Sequence, residues 1–234
     1  MSPRSSAQKR AGAGVSRTST RARASGGAPE PSKLSIRALE PDDWTAIARL
    51  FGANGACGGC WCMWWRVEKG GKTWDEAKGE KNRARMAKLV KQGAVHAMIA
   101  FDRDEPIGWC SFGPHASFPR LLNSRVLRHE PSDDTWSIVC FFIPAKQRGK
   151  GLATRLLEAA TRHAFALGAR TIEGYPVVPQ SSSERMPAAF AWTGVPAVFE
   201  AVGYERIARE SELRPIYAVE RGSSRGSGRK RKLR

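Results

Sequence analysis

No run in this 234-residue chain approaches eighteen consecutive apolar residues, so a membrane-spanning helix is not expected. An apolar segment of secretory type is missing as well, which argues against an exported protein. Cysteine is scarce: five residues, an odd number, leave at least one thiol unpaired and make a disulfide framework unattractive for a cytoplasmic protein. Acidic residues are short relative to basic ones, 22 Asp and Glu against 39 Lys and Arg. Neither G-x-x-x-x-G-K-[ST] nor G-x-G-x-x-G occurs, which sets aside P-loop and dinucleotide-binding readings.

The charge is unevenly spread. Residues 1–32 hold six basic side chains and one acidic, and contain no Phe, Trp, Tyr, Ile or Leu, so they cannot build a core. Residues 221–234 hold seven basic side chains and no acidic ones, four of them consecutive at Arg229-Lys230-Arg231-Lys232. Both are expected to be disordered basic tails. Their charge permits nonspecific contact with RNA or DNA, whereas the lack of interleaved aromatics argues against a stacking platform. Between them, residues 33–220 are only mildly basic and long enough for a single domain.

The centre of that domain is Ser137 to Val177. Ile138-Val139-Cys140-Phe141-Phe142-Ile143 reads as a buried strand that Pro144 stops. Gln147-Arg148-Gly149-Lys150-Gly151 follows, then an amphipathic helix with Leu152, Leu156, Ala160, Ala164 and Leu167 on one face. Gly168 closes the helix, and Ala169 to Gly174 begins a second strand. The loop thus falls at a helix N-terminus, where free N–H groups and the helix dipole favour an anion. The loop chemistry alone is equally compatible with a solvated turn.

Arg148-Gly149-Lys150-Gly151-Leu152-Ala153 resembles the R-x-x-G-x-[G/A] acyl-coenzyme A signature of the Gcn5-related N-acetyltransferases (GNAT). The late Gly203-Tyr204 pair is similar to that family's terminal G-[FY] strand, and the resemblance extends over Ser35 to Val219. It implies an α/β fold with a mixed central sheet flanked by helices, and acetyl-CoA as cosubstrate with no metal. It also implies that Arg148, Gly149, Lys150, Gly151, Leu152 and Ala153 face the pyrophosphate, and Phe141, Phe142 and Ile143 the pantetheine arm. The implied acceptor is a small-molecule or peptide amine, served by a monomer or homodimer in the cytoplasm. A coenzyme-binding scaffold without activity and a nucleic-acid-associated module are the competing readings.

Along the chain, Ser35–Leu39 reads as a first strand, followed by a helix capped by Asp42 with Trp44, Ile47, Leu50 and Phe51 on its apolar side. Thr73–Gln92 is a polar helix with a bend near Gly79. Residues 94–101 and 106–113 form a hairpin. His96 within it is taken as structural, while His115 just beyond it is expected to border the acceptor site. The connection 114–134, which carries His129 and Glu130, is expected to include a short helix or lid. Residues 188–204 are expected to supply a late helix, with strands at 204–209 and 215–219 to finish the sheet.

The segment Cys57-Gly58-Gly59-Cys60-Trp61-Cys62-Met63-Trp64-Trp65-Arg66 is the most unusual. One C-x₂-C pair without a second argues against structural zinc. It is either a packed lining of indoles and thiols or an aromatic wall in which Trp61, Trp64 and Trp65 receive an amine by cation–π contact. Certain bacterial members of the resembled family have a similar C-x-x-C-W-C-M-x-W-R segment. In many members a tyrosine on the late helix protonates the leaving thiolate, and the matching position here is Phe199. Tyr175 is the first substitute and Ser137 the second, while Glu173 is the leading general base.

Overall fold

The structure, a computed structural model, describes residues 34–68, 72–178, 191–207 and 214–223. These residues lie in one compact unit, Ser32–Arg234. The basic stretch 1–32, nearly all of 221–234 and the expected loop at Ser181–Met186 lie outside the described residues, as do 188–190 and 208–209.

Strands β1 (Leu34–Ala38), β2 (His96–Asp102) and β3 (Glu105–Pro114) form an antiparallel meander. The β2–β3 hairpin turns at Arg103, which adopts φ 57°. β4 (Thr135–Phe142) pairs antiparallel with β3 and parallel with β5 (Thr171–Gly174). The late strands β6 (Glu205–Ile207) and β7 (Ile216–Glu220) complete a seven-stranded mixed sheet in the order β1-β2-β3-β4-β5-β7-β6. Among the described residues only the β4–β5 ladder is parallel, and its crossover is the long helix α5 (Leu152–Ala166).

Helix α5 covers one face. Leu152, Leu156, Leu157, Ala160 and Ala164 pack with Met98, Ala100, Phe112, Ile138, Phe141 and Ile172. Gly108 permits the approach, since a Cβ there would come within 3.0 Å of Leu156. The other face is covered by α1 (Trp44–Phe51), by α3 (Glu80–Lys91) and by the tryptophan-rich turns between α1 and the short helix α2 (Lys72–Ala77). The bend expected near Gly79 is a full break between α2 and α3, with Gly79 at φ 76°. Asp42 lies in a 3₁₀ turn ahead of α1. The capping contact belongs to its neighbour Asp43, which accepts from the Glu40 N–H and pairs with Arg37.

The 114–134 connection contains a short helix, α4 (Pro119–Leu122). The late helix α6 (Pro196–Val202) is shorter than expected, because Val195 is extended and Pro196 occupies its first turn. Phe199, buried on α6, packs against Phe141, Tyr204 and Tyr217.

Candidate active site

The parallel ladder is short. It pairs Thr135 with Thr171 and ends at Ile138 opposite Gly174, while β4 continues to Phe142. Just past that end, β4 takes one extra residue: Ile138 is opposite Phe112 and Cys140 opposite Ser111, which leaves Val139 inserted. The bulge turns Val139 and Cys140 to the same face, away from α5, where Val139 packs with Trp65, Phe118 and Tyr175. The Val139 carbonyl accepts from Trp65 Nε1 at 2.8 Å. Beyond the ladder, residues 192–194 lie between the two diverging segments. The Phe141 N–H donates to the Trp192 carbonyl and the Val177 N–H to the Gly194 carbonyl.

The loop leading into α5 has the geometry of an anion cradle. Gly149 and Gly151 both take φ 73°, and among the described residues no side chain caps the first turn of α5, whose leading N–H groups have no intrahelical acceptor. Arg148 Nε donates to the Ile143 carbonyl at 2.8 Å and ties the loop to the end of β4, while Lys150 Nζ reaches Gln147 Oε1. Phe142 projects to the opposite face from Phe141 and meets Phe51. Leu152 is buried beneath the loop, and Ala153 is half-buried in the first turn.

On the face opposite α5, the end of the ladder assembles five polar side chains. Ser137 and Glu173 are register partners, and Tyr175 follows two residues after Glu173. The Tyr175 hydroxyl donates to Glu173 Oε2 at 3.0 Å and lies 2.8 Å from Ser137 Oγ. His115 Nδ1 is 3.0 Å from Ser137 Oγ and 3.1 Å from the Tyr175 hydroxyl. The other carboxylate oxygen, Glu173 Oε1, is 2.9 Å from His129 Nε2, and His129 Nδ1 is held by the Leu127 carbonyl. All five side chains are at most 5% exposed. Buried groups of this kind are normally fully bonded, yet His115 Nε2 is buried without a partner among the described residues.

Electrostatics follow from that burial. Burial lowers the His115 imidazole below its ordinary value; Glu173 opposes the shift and His129 reinforces it. Burial first, then the charge of Glu173, pushes the Tyr175 phenol well above the usual range, so the hydroxyl stays protonated. Glu173, Tyr175, Ser137 and His115 are thus brought together. Glu130 is exposed and apart from them; His129, one residue earlier, is the member that sequence reasoning passed over. Its only sequence signal was its place in a connection too apolar for a free linker.

The 57–66 segment divides. Trp61 and Cys62 adopt φ 48° and 58°, in turns where Gly55 lies against the Trp61 indole. Trp61 is buried between Trp44 and Phe51, with Arg83 over its ring, and belongs to the α1 side of the core. Trp64 and Trp65 instead reach the end of the ladder and pack on Trp192. Cys62 Sγ accepts from Trp109 Nε1 at 3.1 Å. Burial alone would raise the Cys62 thiol, but hydrogen bonds from Cys140 and Trp109 and the charge of Arg66 together bring it below its ordinary value. Cys60 is pushed up to about 11 by burial. Among the described residues, no group of three or more His, Cys, Asp and Glu is arranged to hold a metal ion, and no helix is long and apolar enough to cross a membrane.

The Acetyltransferase (GNAT) family matches residues 61–186. Among solved structures, the N-acetyltransferase of Staphylococcus aureus Mu50 is 14% identical with a TM-score of 0.50, over 81% of this chain and 99% of that one. The ribosomal-protein-S5-alanine acetyltransferase of Vibrio fischeri is 14% identical with a TM-score of 0.46, over 83% and 96%. The PaiA N-acetyltransferase of Thermoplasma acidophilum, solved with coenzyme A, is 12% identical with a TM-score of 0.46, over 80% and 99%. No curated protein matches by sequence.

Proposed function

The chain belongs to the GNAT acetyltransferase family, and we propose that it transfers an acetyl group from acetyl-CoA to an amine by direct attack at the parting of β4 and β5. The observation that carries this reading is the continuation of β4 past the end of its parallel ladder into a glycine-rich loop and an uncapped helix. Acetyl-CoA supplies an activated thioester carbonyl. The leading N–H groups of α5, with Gly149 and Gly151 granting close approach and Arg148 and Lys150 adding charge, suit the pyrophosphate. The edge of β4 at Phe141 to Ile143, which β5 leaves unpaired and residues 192–194 cover, suits the pantetheine arm once that segment gives way.

The buried network supplies the proton chemistry. An amine attacks only when neutral, so it needs a proton acceptor close by. His115 is held neutral at neutral pH by burial, and its Nε2 has no partner among the described residues. Glu173, fixed by Tyr175 and His129, then stabilises the imidazolium that forms. Tyr175 and Ser137 link carboxylate and imidazole through hydroxyls. Tyr175 acts here as a hydrogen-bond donor rather than as the acid, because its raised pKa makes phenolate formation costly. The leaving thiolate is a weak enough base to depart with solvent as its proton source.

Titration calorimetry with acetyl-CoA, followed by thiol release across a panel of amines, tests the reading. Binding with release that falls about 10²–10⁴-fold in Glu173→Gln and His115→Gln is expected. Binding without release from any amine would leave a catalytically silent scaffold. No binding at millimolar acetyl-CoA would overturn both.

A further inference from the structure

Two guanidinium groups stand beside the proposed acceptor site without a carboxylate partner among the described residues. Arg66 follows Trp64 and Trp65 in one 3₁₀ turn, and Arg120 lies on α4, which packs against that turn. Arg120 lies over the Trp64 ring, 3.4 Å from its centroid, and Arg66 lies over Phe118 at 5.1 Å. Each leaves a buried nitrogen without a hydrogen-bond partner among the described residues: Nε of Arg66 and Nη1 of Arg120. Arginine does not shed its charge to relieve burial. Aromatic faces offset part of that cost but provide no acceptor for an N–H. The ionisable groups that interact with Arg66 are the Cys62 thiol, the His96 imidazole and the Cys140 thiol, which its hydrogen bond to Cys62 and its burial keep protonated.

We propose that Arg66 and Arg120 form a carboxylate-recognition site, so that the acyl acceptor is a small amine carrying its own carboxylate: an α-, β- or γ-amino acid. The inference rests on the acetyl-transfer reading for what happens to the amine, but not for what binds. A planar fork over an aromatic ring, with a buried N–H that lacks an acceptor among the described residues, matches a carboxylate. The same two charges work against a cationic acceptor. The Trp64 face that would receive an ammonium is already covered by Arg120, and Trp61 is turned into the core under Arg83. The aromatic wall therefore backs the arginines instead of meeting the amine directly.

The test has two arms, both on the full chain with coenzyme A or acetyl-CoA present. In the first, tryptophan fluorescence is titrated with amino acids, their methyl esters and the matched decarboxylated amines. Trp64, Trp65 and Trp192 lie close enough to report. At least tenfold tighter binding of the carboxylate member is expected for the preferred amino acid, with the preference lost in Arg120→Met and partly restored in Arg120→Lys. Arg66→Met is a second variant, with Arg120 carrying the test if it does not fold. In the second arm, thiol release is measured for the same set. Carboxylate-selective binding without release upholds the site and overturns acetyl transfer. Release that is equal for acids, esters and decarboxylated amines upholds transfer and overturns the site. Binding of none of them, or a preference unchanged in Arg120→Met, also overturns it.

Discussion

Gly174 ends β5 directly against Phe199: a Cβ added at Gly174 would come within 2.0 Å of the Phe199 ring. The same ring is met from the other side by Gly194, which has φ 87° and would place a Cβ 2.8 Å away. One aromatic side chain from α6 therefore sits between two glycines, one at the end of β5 and the other in the segment that follows Trp192.

Gly174→Ala forces that ring off its position in a close-packed core, at a cost of about 1–3 kcal/mol. Urea unfolding should show a lower midpoint with an unchanged slope. An unaltered midpoint would mean that the ring yields freely and does not set the spacing of β5 and α6.

His115 predicts a pH dependence of stability. Its folded pKa lies below its ordinary value of 6.5. The unfolded chain thus takes up the proton first as pH falls, and stability present above pH 6.5 is lost as pH drops through the folded value. His96, whose ring lies tilted against Trp136, is shifted the same way by burial. The difference between the original chain and His115→Gln isolates the His115 share. Urea midpoints at pH 7.5 and 5.0 should converge in the variant, and equal pH slopes in the two proteins would contradict the assignment.

Trp65→Phe keeps the aromatic volume but removes the N–H held by the Val139 carbonyl. Leaving that buried acceptor without its donor should cost about 1–3 kcal/mol. A loss of thiol release beyond the loss of stability is expected too, because the bulge positions Cys140 and Phe141. Thermal melts and steady-state rates on the same sample separate the two effects.

Gly151 faces open space, with no atom within 4 Å of where a Cβ would stand, so a side chain there acts through the backbone alone. Gly151→Val places a β-branched residue at φ 73° and should cost about 1–2 kcal/mol of stability. Calorimetry should find acetyl-CoA binding at least tenfold weaker, and Gly151→Asn, which tolerates the left-handed region, should fall between. Equal affinity in all three would remove the loop from the donor site.

What the sequence disclosed and what it hid have physical reasons. The strand, loop and helix from Ile138 to Leu167 were readable because an apolar run and a 3.6-residue period are local signals, and the observed β4 and α5 follow them closely. The late start of α6 also has a local cause, since a residue before proline resists helix; Val195 does so here. The split within Trp61, Trp64 and Trp65 was not readable, because Trp61 and Cys62 lie in left-handed turns that no periodicity describes. Arg120 over Trp64 and His129 on Glu173 join residues 56 and 44 positions apart, contacts that only the folded sheet brings about.

The Phe141 amide has one hydrogen to give, and the Trp192 carbonyl already takes it. A pantetheine arm lying along β4 would have to win that donor from the chain's own backbone. The measured donor affinity would then be a net quantity, the intrinsic attraction reduced by the work of evicting residues 192–194. Substitutions that loosen Trp192 from Trp65 would tighten coenzyme binding without touching the coenzyme, and co-crystallisation would succeed where soaking into a closed lattice fails.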